Sequence, residues 1–372
     1  MKLLHLSDLH LGKRVMELSM LDEQRAMLEE ALVLARQADV TILAGDIYDR
    51  QVPPAEAVAL FDDFLSRMNR QGSPVVMIAG NHDSAERIAY GADLLGESGV
   101  YVAPVYDGQA RCVTLYDPWG PVNIWLLPFI KPAHVRAALD AQDVQTYTQA
   151  LRAAVEAMPL DVSQRNVLVA HQYVTGADRS ESEEVVVGGL DNVDAEVFSA
   201  FDYVALGHLH SVQSLCGGRV RYSGAPLCYA FSEAGKQKGG LFVTLEEKGT
   251  LSVETAVMAP VHRMRSMRCT FAEAAREQQA SEDYLQIILT DEDDIPQALG
   301  QLRALYPNLL QLRYDNARTR AQAADFTVQA AHSRAPQELF DELFLMQNGA
   351  QMTQEQRDYV NAMIESIWED EV

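Results

Sequence analysis

The sequence predicts an α/β protein whose first part is a two-sheet β-sandwich flanked by helices. A small α+β domain and a C-terminal helical tail are expected to follow. Two observations predict the sandwich. In residues 2–97, short apolar strands alternate with amphipathic helices, a rhythm that indicates a parallel sheet covered by helices. In residues 100–128 and 211–257 the pattern changes to short strands separated by turns, which indicates a second sheet.

Each element of the first 97 residues carries a local signal. The segment 74–79 is apolar and rich in β-branched residues between a proline and a glycine, as a buried strand requires. Pro53-Pro54 opens a helix, because proline is tolerated in the first helical turn. The predicted elements are the strands 2–7, 39–44 and 74–79 and the helices 20–37, 53–70 and 84–96.

The rest of the chain contains elements of both kinds. They are the helical stretch 132–158, the strands 166–170 and 202–206, the small-domain strands 264–271, 284–289 and 309–314, the small-domain helices 272–280 and 295–305, and the tail helices 336–347 and 353–368. The character of the sequence shifts near Ala259-Pro260, where a local run of arginines begins. We therefore expect three domains, over residues 1–258, 261–330 and 335–372.

Composition limits the classes of function. With 372 residues and 48% hydrophobic content, the chain can bury a full core. Four scattered cysteines without a C-x-x-C pair fit a reducing cytoplasm, and we expect no membrane span and no secretory signal. A net charge of −23 disfavours stand-alone nucleic-acid binding, so a DNA substrate would need metal ions, local arginines or a partner chain to hold its phosphates.

Polar side chains end five of the predicted strands or follow them in the next turn. In open α/β folds, ligands bind outside the carboxyl ends of the strands. A hydrophobic core needs none of these side chains, and burying them without partners is unfavourable. The candidate ligands are Asp8, His10, Asp46, Asn81, His171, His208 and His210.

Seven nitrogen and oxygen donors are too many for one ion and suit two. Imidazole and carboxylate without thiolate fit Mn²⁺ or a similar borderline-hard ion, with Mg²⁺ as the alternative. Two ions about 3.5–4 Å apart can clamp a phosphate and ionise a bridging water for in-line attack. Asp46 is the candidate for the bridging carboxylate, because an anion shared by two cations lowers their mutual repulsion.

His82 and Asp83 follow Asn81 directly and have a different predicted role. As an imidazolium, His82 would face the substrate and stabilise the phosphoryl oxygens or protonate the leaving oxygen. Asp83 would orient His82 or raise its pKa. Two neighbours stay open: Lys13 is either a charge near the phosphates or a solvated turn residue, and Asp49 either caps a turn or supports the site.

The set of motifs resembles the calcineurin-like metallophosphoesterase superfamily over residues 1 to about 257. In chain order the motifs are D-x-H, G-D-x-x-D, G-N-H-D, a lone strand-end histidine and G-H-x-H. Within the superfamily the chain resembles the SbcD family, the nuclease subunits of the bacterial SbcC–SbcD complex. The segments that carry this closer resemblance are 7–13, 179–183, 188–191, 223–226, 231–233 and 235–236.

The resemblance implies a Mn²⁺-dependent DNA nuclease for end processing in repair, recombination and replication. Such an enzyme is a double-strand exonuclease and a single-strand endonuclease that opens hairpins. The resemblance also assigns ligands: Asp8, His10, Asp46 and His210 would hold one metal, and Asp46, Asn81, His171 and His208 the other. His82 would be the transition-state histidine.

The same resemblance implies partners. ATP hydrolysis would belong to SbcC, a coiled-coil ABC-type ATPase, and this chain accordingly has no G-x-x-x-x-G-K-[ST] loop. The chain would form a homodimer within a heterotetramer, through helices near 54–70 and 84–97. Domain 261–330 would cap the site and touch double-stranded DNA ends and hairpins. The tail helices would dock on the partner's coiled coil or, alternatively, close their own domain. The protein would be bacterial, cytoplasmic and nucleoid-associated.

Two other functions compete with the nuclease. A small-molecule phosphodiesterase or phosphatase would use the same metals and suits the acidic surface, but it needs neither a cap domain nor paired tail helices. A metal-free scaffold of the same fold should have lost ligands, whereas all seven positions are filled here.

Overall fold

A computed structural model describes most of the chain. The described residues are 1–178, 191–276, 281–317, 319–320, 337, 340–341, 343–345 and 351–370. The family segments 179–183 and 188–190 and half of the predicted helix 336–347 lie outside them. The described residues up to Asp315, apart from Asp191, form one compact unit, and those from Asn316 onward belong to a second. None of the helices in the described ranges combines the length and hydropathy of a membrane span.

The first sheet of the sandwich has six strands. They are β1 (Lys2–Leu6), β4 (Val40–Ala44), β5 (Val75–Ile78), β6 (Val100–Val102), β15 (Gly239–Leu245) and β16 (Leu251–Val257). Their order is β16-β15-β1-β4-β5-β6, and β1, β4, β5 and β6 are parallel. At one edge, β15 pairs antiparallel with β1, and β16 pairs antiparallel with β15. The parallel β-α-β arrangement predicted for the first 97 residues is therefore confirmed. A short hairpin, β2 (Arg14–Val15) and β3 (Leu18–Ser19), follows β1.

The second sheet also has six strands and carries the later histidine motifs. They are β7 (Arg111–Asp117), β8 (Gly120–Leu126), β9 (Arg165–His171), β12 (Tyr203–Gly207), β13 (Gln213–Leu215) and β14 (Val220–Tyr222). Their order is β13-β14-β12-β9-β8-β7, and the four central strands are parallel. A two-residue ladder joins β10 (Tyr173–Val174) to β11 (Asn192–Val193). The inner core joins both sheets, for example Ile42 and Val76 with Val167 and Ala205, which confirms the two-sheet sandwich.

Helices cover the outer faces of both sheets. They are α1 (Leu21–Ala35), α2 (Ala55–Arg70), α3 (Ala85–Ile88), α4 (Ala92–Glu97), α5 (Pro132–Leu139) and α6 (Tyr147–Glu156), and 3-10 turns span Ala195–Phe198, Cys216–Gly218 and Phe231–Glu233. Met27 and Phe64 pack in one outer core with Leu4, and Leu151 packs in the other with Leu168. The outer faces are therefore buried by apolar stripes of the helices.

Two predicted helices are each interrupted. The helix expected over 84–96 is split into α3 and α4, because Gly91 has a left-handed φ of +71°. The stretch 132–158 is split into α5 and α6, because the residue after α5, Asp140, has a left-handed φ of 52°, and α6 starts at a capping box formed by Thr146 and Gln149.

Residues 264–314, which we call the small domain, have the predicted β-α-β-α-β order. Its elements are β17 (Met264–Cys269), α7 (Phe271–Arg276), β18 (Tyr284–Leu289), α8 (Ala298–Leu305) and β19 (Leu309–Tyr314). The three strands are parallel, and Leu285, Ile287 and Leu302 form its core. In the second unit, α9 (Gln354–Asp370) corresponds to the predicted second tail helix.

Glu23 of α1 fixes the segment that connects the sandwich to the small domain. Its side chain is 3% exposed, and Oε2 accepts hydrogen bonds from the backbone nitrogens of Val261 (3.1 Å) and His262 (3.3 Å). Its Oε1 lies 2.5 Å from Nδ1 of His262 and accepts a bond from the Tyr284 hydroxyl at 3.2 Å. One buried carboxylate thus holds both the connecting segment and the start of β18.

His5 lies on the inner face of β1 and pairs with the opposite sheet. The residue is fully buried, and Nδ1 lies 2.8 Å from the hydroxyl oxygen of Tyr203 on β12. Burial lowers the pKa of His5 to about 3, although an interaction with the Leu206 backbone acts in the opposite direction. His5 therefore stays neutral in the folded protein at every pH near neutrality.

We expect His5 to make the metal-free protein less stable by about 1.4 kcal/mol at pH 5.5 than at pH 7.5. Unfolded His5 takes up a proton as the pH falls through its ordinary pKa of 6.5, whereas folded His5 does so only near pH 3. The unfolded state then binds more protons, so stability falls with falling pH. Urea unfolding at the two pH values measures how much the free energy of unfolding falls between pH 7.5 and pH 5.5. In His5→Leu this fall should be smaller than in wild type by about 1.4 kcal/mol. Tyr203→Phe, which keeps His5, should retain the wild-type loss, and equal losses in wild type and His5→Leu would contradict the assignment.

Candidate metal centre

The carboxyl ends of β1, β4, β5, β9 and β12 meet at one edge of the sandwich, and all seven predicted ligands lie there. The turns after β1 and β4 are bonded to each other, since the backbone nitrogens of Asp8 and His10 donate to the carbonyl oxygens of Gly45 and Asp46, each at 3.0 Å. The turn after β12 is joined to the turn after β1, since the backbone nitrogen of His208 donates to Asp8 Oδ1 at 3.0 Å. The two sheets thus deliver their polar side chains to one site.

The backbone at this edge adopts conformations that most residues avoid. Four of the seven predicted ligands have positive φ: Asp8 at 54°, His10 at 44°, Asp46 at 51° and His208 at 99°. Conformations of this kind cost on the order of 1–3 kcal/mol each and concentrate at functional sites. These backbone conformations therefore lower the stability of the fold, and they place the four side chains at the candidate site.

The glycines that precede Asn81 and His208 allow the turns to approach closely. A Cβ on Gly80 would lie 2.4 Å from the backbone nitrogen of Asp46, and one on Gly207 would lie 2.0 Å from the carbonyl oxygen of Ala44. Both contacts are far inside van der Waals distance and involve backbone atoms that cannot rotate away. The glycine in the G-N-H-D and G-H-x-H motifs is thus a packing requirement of the site.

One group of donors consists of Asp8, His10 and His210, whose ligand atoms all lie within 4.8 Å of one another. Nε2 of His10 and Nε2 of His210 face each other at 3.0 Å. Asp8 is fully buried, and its Oδ2 accepts a hydrogen bond from the Ser7 hydroxyl. Two imidazoles and a carboxylate thus converge on a single point.

A second group consists of Asp46, Asn81, His171 and His208. Nε2 of His171 lies 3.3 Å from Asp46 Oδ2, and Asn81 Oδ1 lies 3.0 Å from both His171 Nε2 and His208 Nδ1. The other ring nitrogen of His171, Nδ1, lies 2.8 Å from the carbonyl oxygen of Ala44, so that Nε2 is directed toward the site.

Asp46 lies between the two groups. Its Oδ2 is 3.7 Å from Nε2 of His10 in the first group and 3.3 Å from Nε2 of His171 in the second. Asp8, Asp46 and His171 also form a set whose ligand atoms lie within 4.8 Å of one another. This is the position that a carboxylate shared between two ions would occupy.

The electrostatics of the site indicate that cations belong there. Burial raises the pKa of Asp8 to about 6, since His171 and His210 offset only part of the effect and Asp46 adds a second negative charge. Burial opposes charge on His171 too, but the Asp46 carboxylate outweighs it and raises its pKa to about 9. Burial holds the pKa of His10 well below its ordinary value, so that its ring is neutral. In the absence of a metal ion the His171 ring therefore holds a proton, which an ion bound there would displace, and imidazoles beside buried carboxylates are the donor set of a divalent metal site.

His82 is placed beside these donors and partly open to solvent. Its side chain is 18% exposed, and Nε2 lies 3.9 Å from Asp46 Oδ2. Its backbone nitrogen donates to Asp46 Oδ1 at 3.0 Å, and its ring Nδ1 lies 3.2 Å from the carbonyl oxygen of Asp49. His10, Asp46 and His82 also form a set whose ligand atoms lie within 4.8 Å of one another.

The contact expected between Asp83 and His82 is not found. Among the described residues, no hydrogen bond or ion pair joins them, because backbone nitrogens occupy both Asp83 oxygens. Oδ2 accepts from Gly80 (2.9 Å) and Ile47 (3.0 Å), and Oδ1 accepts from Tyr48 (2.9 Å). Asp83 thus ties the turn after β5 to the turn after β4, and the orienting contact of His82 comes from the Asp49 backbone instead.

The two residues left open by the sequence are paired with each other. Lys13 Nζ lies 2.6 Å from Asp49 Oδ1, so Lys13 is an ion-paired residue rather than a freely solvated one. Asp49 Oδ1 is also 3.8 Å from His10 Nδ1. Asp49 therefore supports the site through His10 and His82.

Sequence reasoning missed four buried residues around the first donor group. Gln24 donates to the His10 carbonyl at 2.7 Å, and the Tyr229 hydroxyl donates to the Leu9 carbonyl at 2.5 Å. Glu233 and Lys238 contact His210, and Glu233 is fully buried. The segment 231–233 supported the family resemblance, but a lone Glu in it carries no sequence signal for a role.

Comparisons with known proteins agree with these observations. The chain matches the calcineurin-like phosphoesterase family over residues 1–212 and the family described as type 5 capsule protein repressor C-terminal domain over residues 260–348. It is 30% identical to the SbcD component of the SbcCD nuclease of Staphylococcus saprophyticus over 94% of this chain and 92% of the relative. It is 29% identical to the same component from Staphylococcus epidermidis, over 84% of this chain and 85% of that relative.

Among solved structures, that of TT1561 of Thermus thermophilus covers 68% of this chain and 98% of its own, with 14% identity and a TM-score of 0.38. The family match and the two relatives, which align over 85% and 92% of their own length, confirm the resemblance that the motifs indicated. The chain therefore belongs to the calcineurin-like phosphoesterase family and, within it, to the SbcD family of nuclease subunits.

Proposed function

We propose that this chain hydrolyses phosphodiester bonds of DNA, as a double-strand exonuclease and a single-strand or hairpin endonuclease. The observation that carries the proposal is the convergence of seven nitrogen and oxygen donors into two groups that share Asp46. The nuclease names of relatives that align with most of this chain supply the substrate class.

We propose that two divalent ions, Mn²⁺ with Mg²⁺ as the alternative, bind the two donor groups. Asp8, His10, Asp46 and His210 would hold one ion, and Asp46, Asn81, His171 and His208 the other. When bound, such ions neutralise the phosphate and lower the pKa of water, so that a nucleophile forms near neutral pH. The mixture of imidazole, carboxylate and amide without thiolate favours a borderline-hard ion.

The chain's own residues then position the reaction. His82 is a partly exposed imidazole next to Asp46, and we propose that it donates a proton to the leaving oxygen or stabilises charge on the phosphoryl group. The Asp49 carbonyl sets the ring orientation of His82. Asp83 has a structural part in this proposal, since it holds the turn that carries both Asn81 and His82.

A partner would supply the attraction for DNA that this chain lacks. The net charge is −23, and two of the small-domain arginines are already paired, Arg265 with Asp283 at 3.3 Å and Arg268 with Asp315 at 2.5 Å. We propose that an SbcC-like coiled-coil ATPase binds the tail in 335–372 and provides cationic surface and ATP hydrolysis. Domain 261–330 would then lie against the duplex as a cap.

We propose that a second copy of the chain packs on helices α2 to α4, giving a homodimer within a heterotetramer. Large apolar side chains are exposed there, with Tyr90 at 87% and Leu94 at 75%. Exposed apolar groups that lie close together are typical of surfaces that bind another protein.

The test is Mn²⁺-dependent cleavage of a hairpin-ended duplex, with and without the co-expressed coiled-coil ATPase. Bis(p-nitrophenyl) phosphate serves as a small-diester control. Cleavage of DNA that ATP stimulates only in the presence of the partner is the expected result. Turnover of the small diester with DNA intact under both conditions would instead assign a small-molecule phosphodiesterase, the alternative that the acidic charge favours.

A further inference from the structure

Glu233 and Lys238 form a buried ion pair beside the candidate metal centre. Glu233 is 0% exposed and Lys238 is 7% exposed, and Lys238 Nζ lies 2.5 Å from Glu233 Oε2. A buried ion pair is often no more stabilising than apolar residues of the same volume, because both charges lose their hydration. Stability alone therefore does not account for placing this pair in the core.

Both members of the pair contact His210. Glu233 Oε1 lies 3.5 Å from Nδ1 of the His210 ring, and Lys238 Nζ donates to the His210 carbonyl oxygen at 2.9 Å. The backbone nitrogen of Ala225 also donates to that carbonyl oxygen, at 3.2 Å. The ring and the backbone of one residue are thus held by a single cluster.

The two ring nitrogens of His210 face different surroundings. Nε2 points at His10 Nε2, 3.0 Å away, in the first donor group, whereas Nδ1 points at the Glu233 carboxylate. An imidazole binds a metal through the nitrogen that carries no proton, so the proton must be on the other nitrogen. A carboxylate beside Nδ1 accepts that proton's hydrogen bond and leaves the Nε2 lone pair free for an ion.

We infer that Glu233 is a positioning residue for the proposed metal centre, which fixes the tautomer and orientation of His210 and strengthens it as a ligand. Lys238 holds the carboxylate in place through Oε2, so that Oε1 stays directed at the ring. This inference rests on the two-ion proposal above, because it concerns how one of the donors to the first ion is prepared.

The second donor group is prepared differently. Nδ1 of His171 lies 2.8 Å from the carbonyl oxygen of Ala44, an uncharged backbone group that no side-chain substitution removes. A carboxylate raises the basicity of an imidazole more than a carbonyl does. Removing the Glu233 charge is therefore expected to weaken the binding of the ion at the first donor group and to leave the binding of the other ion unchanged.

The experiment measures Mn²⁺ binding to the metal-stripped full chain by equilibrium dialysis with metal analysis. Glu233→Gln keeps the size of the side chain and removes its charge, and Glu254→Gln, at an exposed position on β16, is the matched control. Wild type and the control should bind two ions with equal affinity. Glu233→Gln should bind one ion as wild type does and the other about 10–100-fold more weakly.

Circular dichroism of the metal-free proteins reports whether Glu233→Gln folds. If the unpaired Lys238 ammonium prevents folding, the double variant Glu233→Gln/Lys238→Met, which removes both buried charges, is measured in its place. A folded variant that binds both ions as wild type does overturns the inference. The number of ions bound by wild type tests the two-ion proposal separately. If wild type binds fewer than two ions, that proposal is wrong, independently of the results for the variants.

Discussion

Replacing Asp46 by asparagine is expected to remove nuclease activity to background, a loss of more than about a thousandfold. Asp46 Oδ2 lies within 3.7 Å of histidines in both donor groups, so the loss of its charge affects both ions at once. The amide also places hydrogen-bond donors in a site built to attract cations. Equilibrium dialysis should show that both Mn²⁺ ions bind more weakly than in wild type, and cleavage of a hairpin-ended duplex should be lost in parallel.

Asp143→Asn is the matched control for this variant, because Asp143 is exposed in the segment between α5 and α6. It should bind two ions and cleave DNA as wild type does. The bridging role of Asp46 would be refuted if Asp46→Asn bound two ions with wild-type affinity. Loss of only one ion, with the other retained at full strength, would place Asp46 in a single donor group.

Most of the fold could be read from the chain because its signals are local. Apolar strands, proline at the start of α2 and the alternation of strand and helix predict the first sheet with no knowledge of tertiary contacts. The helix breaks at Gly91 and Asp140 were missed, since a single residue with positive φ interrupts an apolar pattern that otherwise continues. Helix propensity and apolar spacing predict that a segment is helical, whereas the backbone conformation of a single residue decides where the helix ends.

The donors of the site were predictable for a related reason. Asp8 and Asp46 lie two residues after a buried strand and His171 ends one, and parallel strands bring their carboxyl ends to the same edge. The partners of Asp83 were not predictable, because a carboxylate next to an imidazole in sequence need not contact it in space. In the folded chain, three backbone nitrogens from two turns bind that carboxylate.

Glu233 shows a second limit of the sequence. It lies 23 residues after His210, on a 3-10 turn between the two sheets' late strands, and their contact arises only when both segments fold against the same edge. Nothing in the composition or spacing of 226–238 distinguishes a buried glutamate from a surface one. The pairing of residues that prepare a ligand is a property of the tertiary structure.

Replacing His82 by alanine is expected to lower cleavage by about 10²–10⁴-fold while both Mn²⁺ ions remain bound. Its Nε2 lies 3.9 Å from Asp46 Oδ2 at the partly exposed face of the site, where a phosphate would approach. The contact that His82 makes with Asp46 Oδ1 comes from its backbone nitrogen, which alanine retains. Single-turnover cleavage at saturating Mn²⁺ measures the loss, and equilibrium dialysis counts the ions.

The ion count decides between two roles for His82, because its ring also lies within 4.8 Å of donor atoms on His10 and Asp46. If His82 were a ligand, alanine would release an ion, and higher Mn²⁺ would restore part of the cleavage. If it transfers a proton or stabilises charge, the ions stay and no concentration of Mn²⁺ restores the rate. His134→Ala, which changes a histidine at the start of α5, should leave the cleavage rate and the number of bound ions unchanged. The exposure of the His82 side chain fits the second role, since it is 18% against 1% for His10 and 0% for His171, and a group that acts on the substrate must be reachable from solvent.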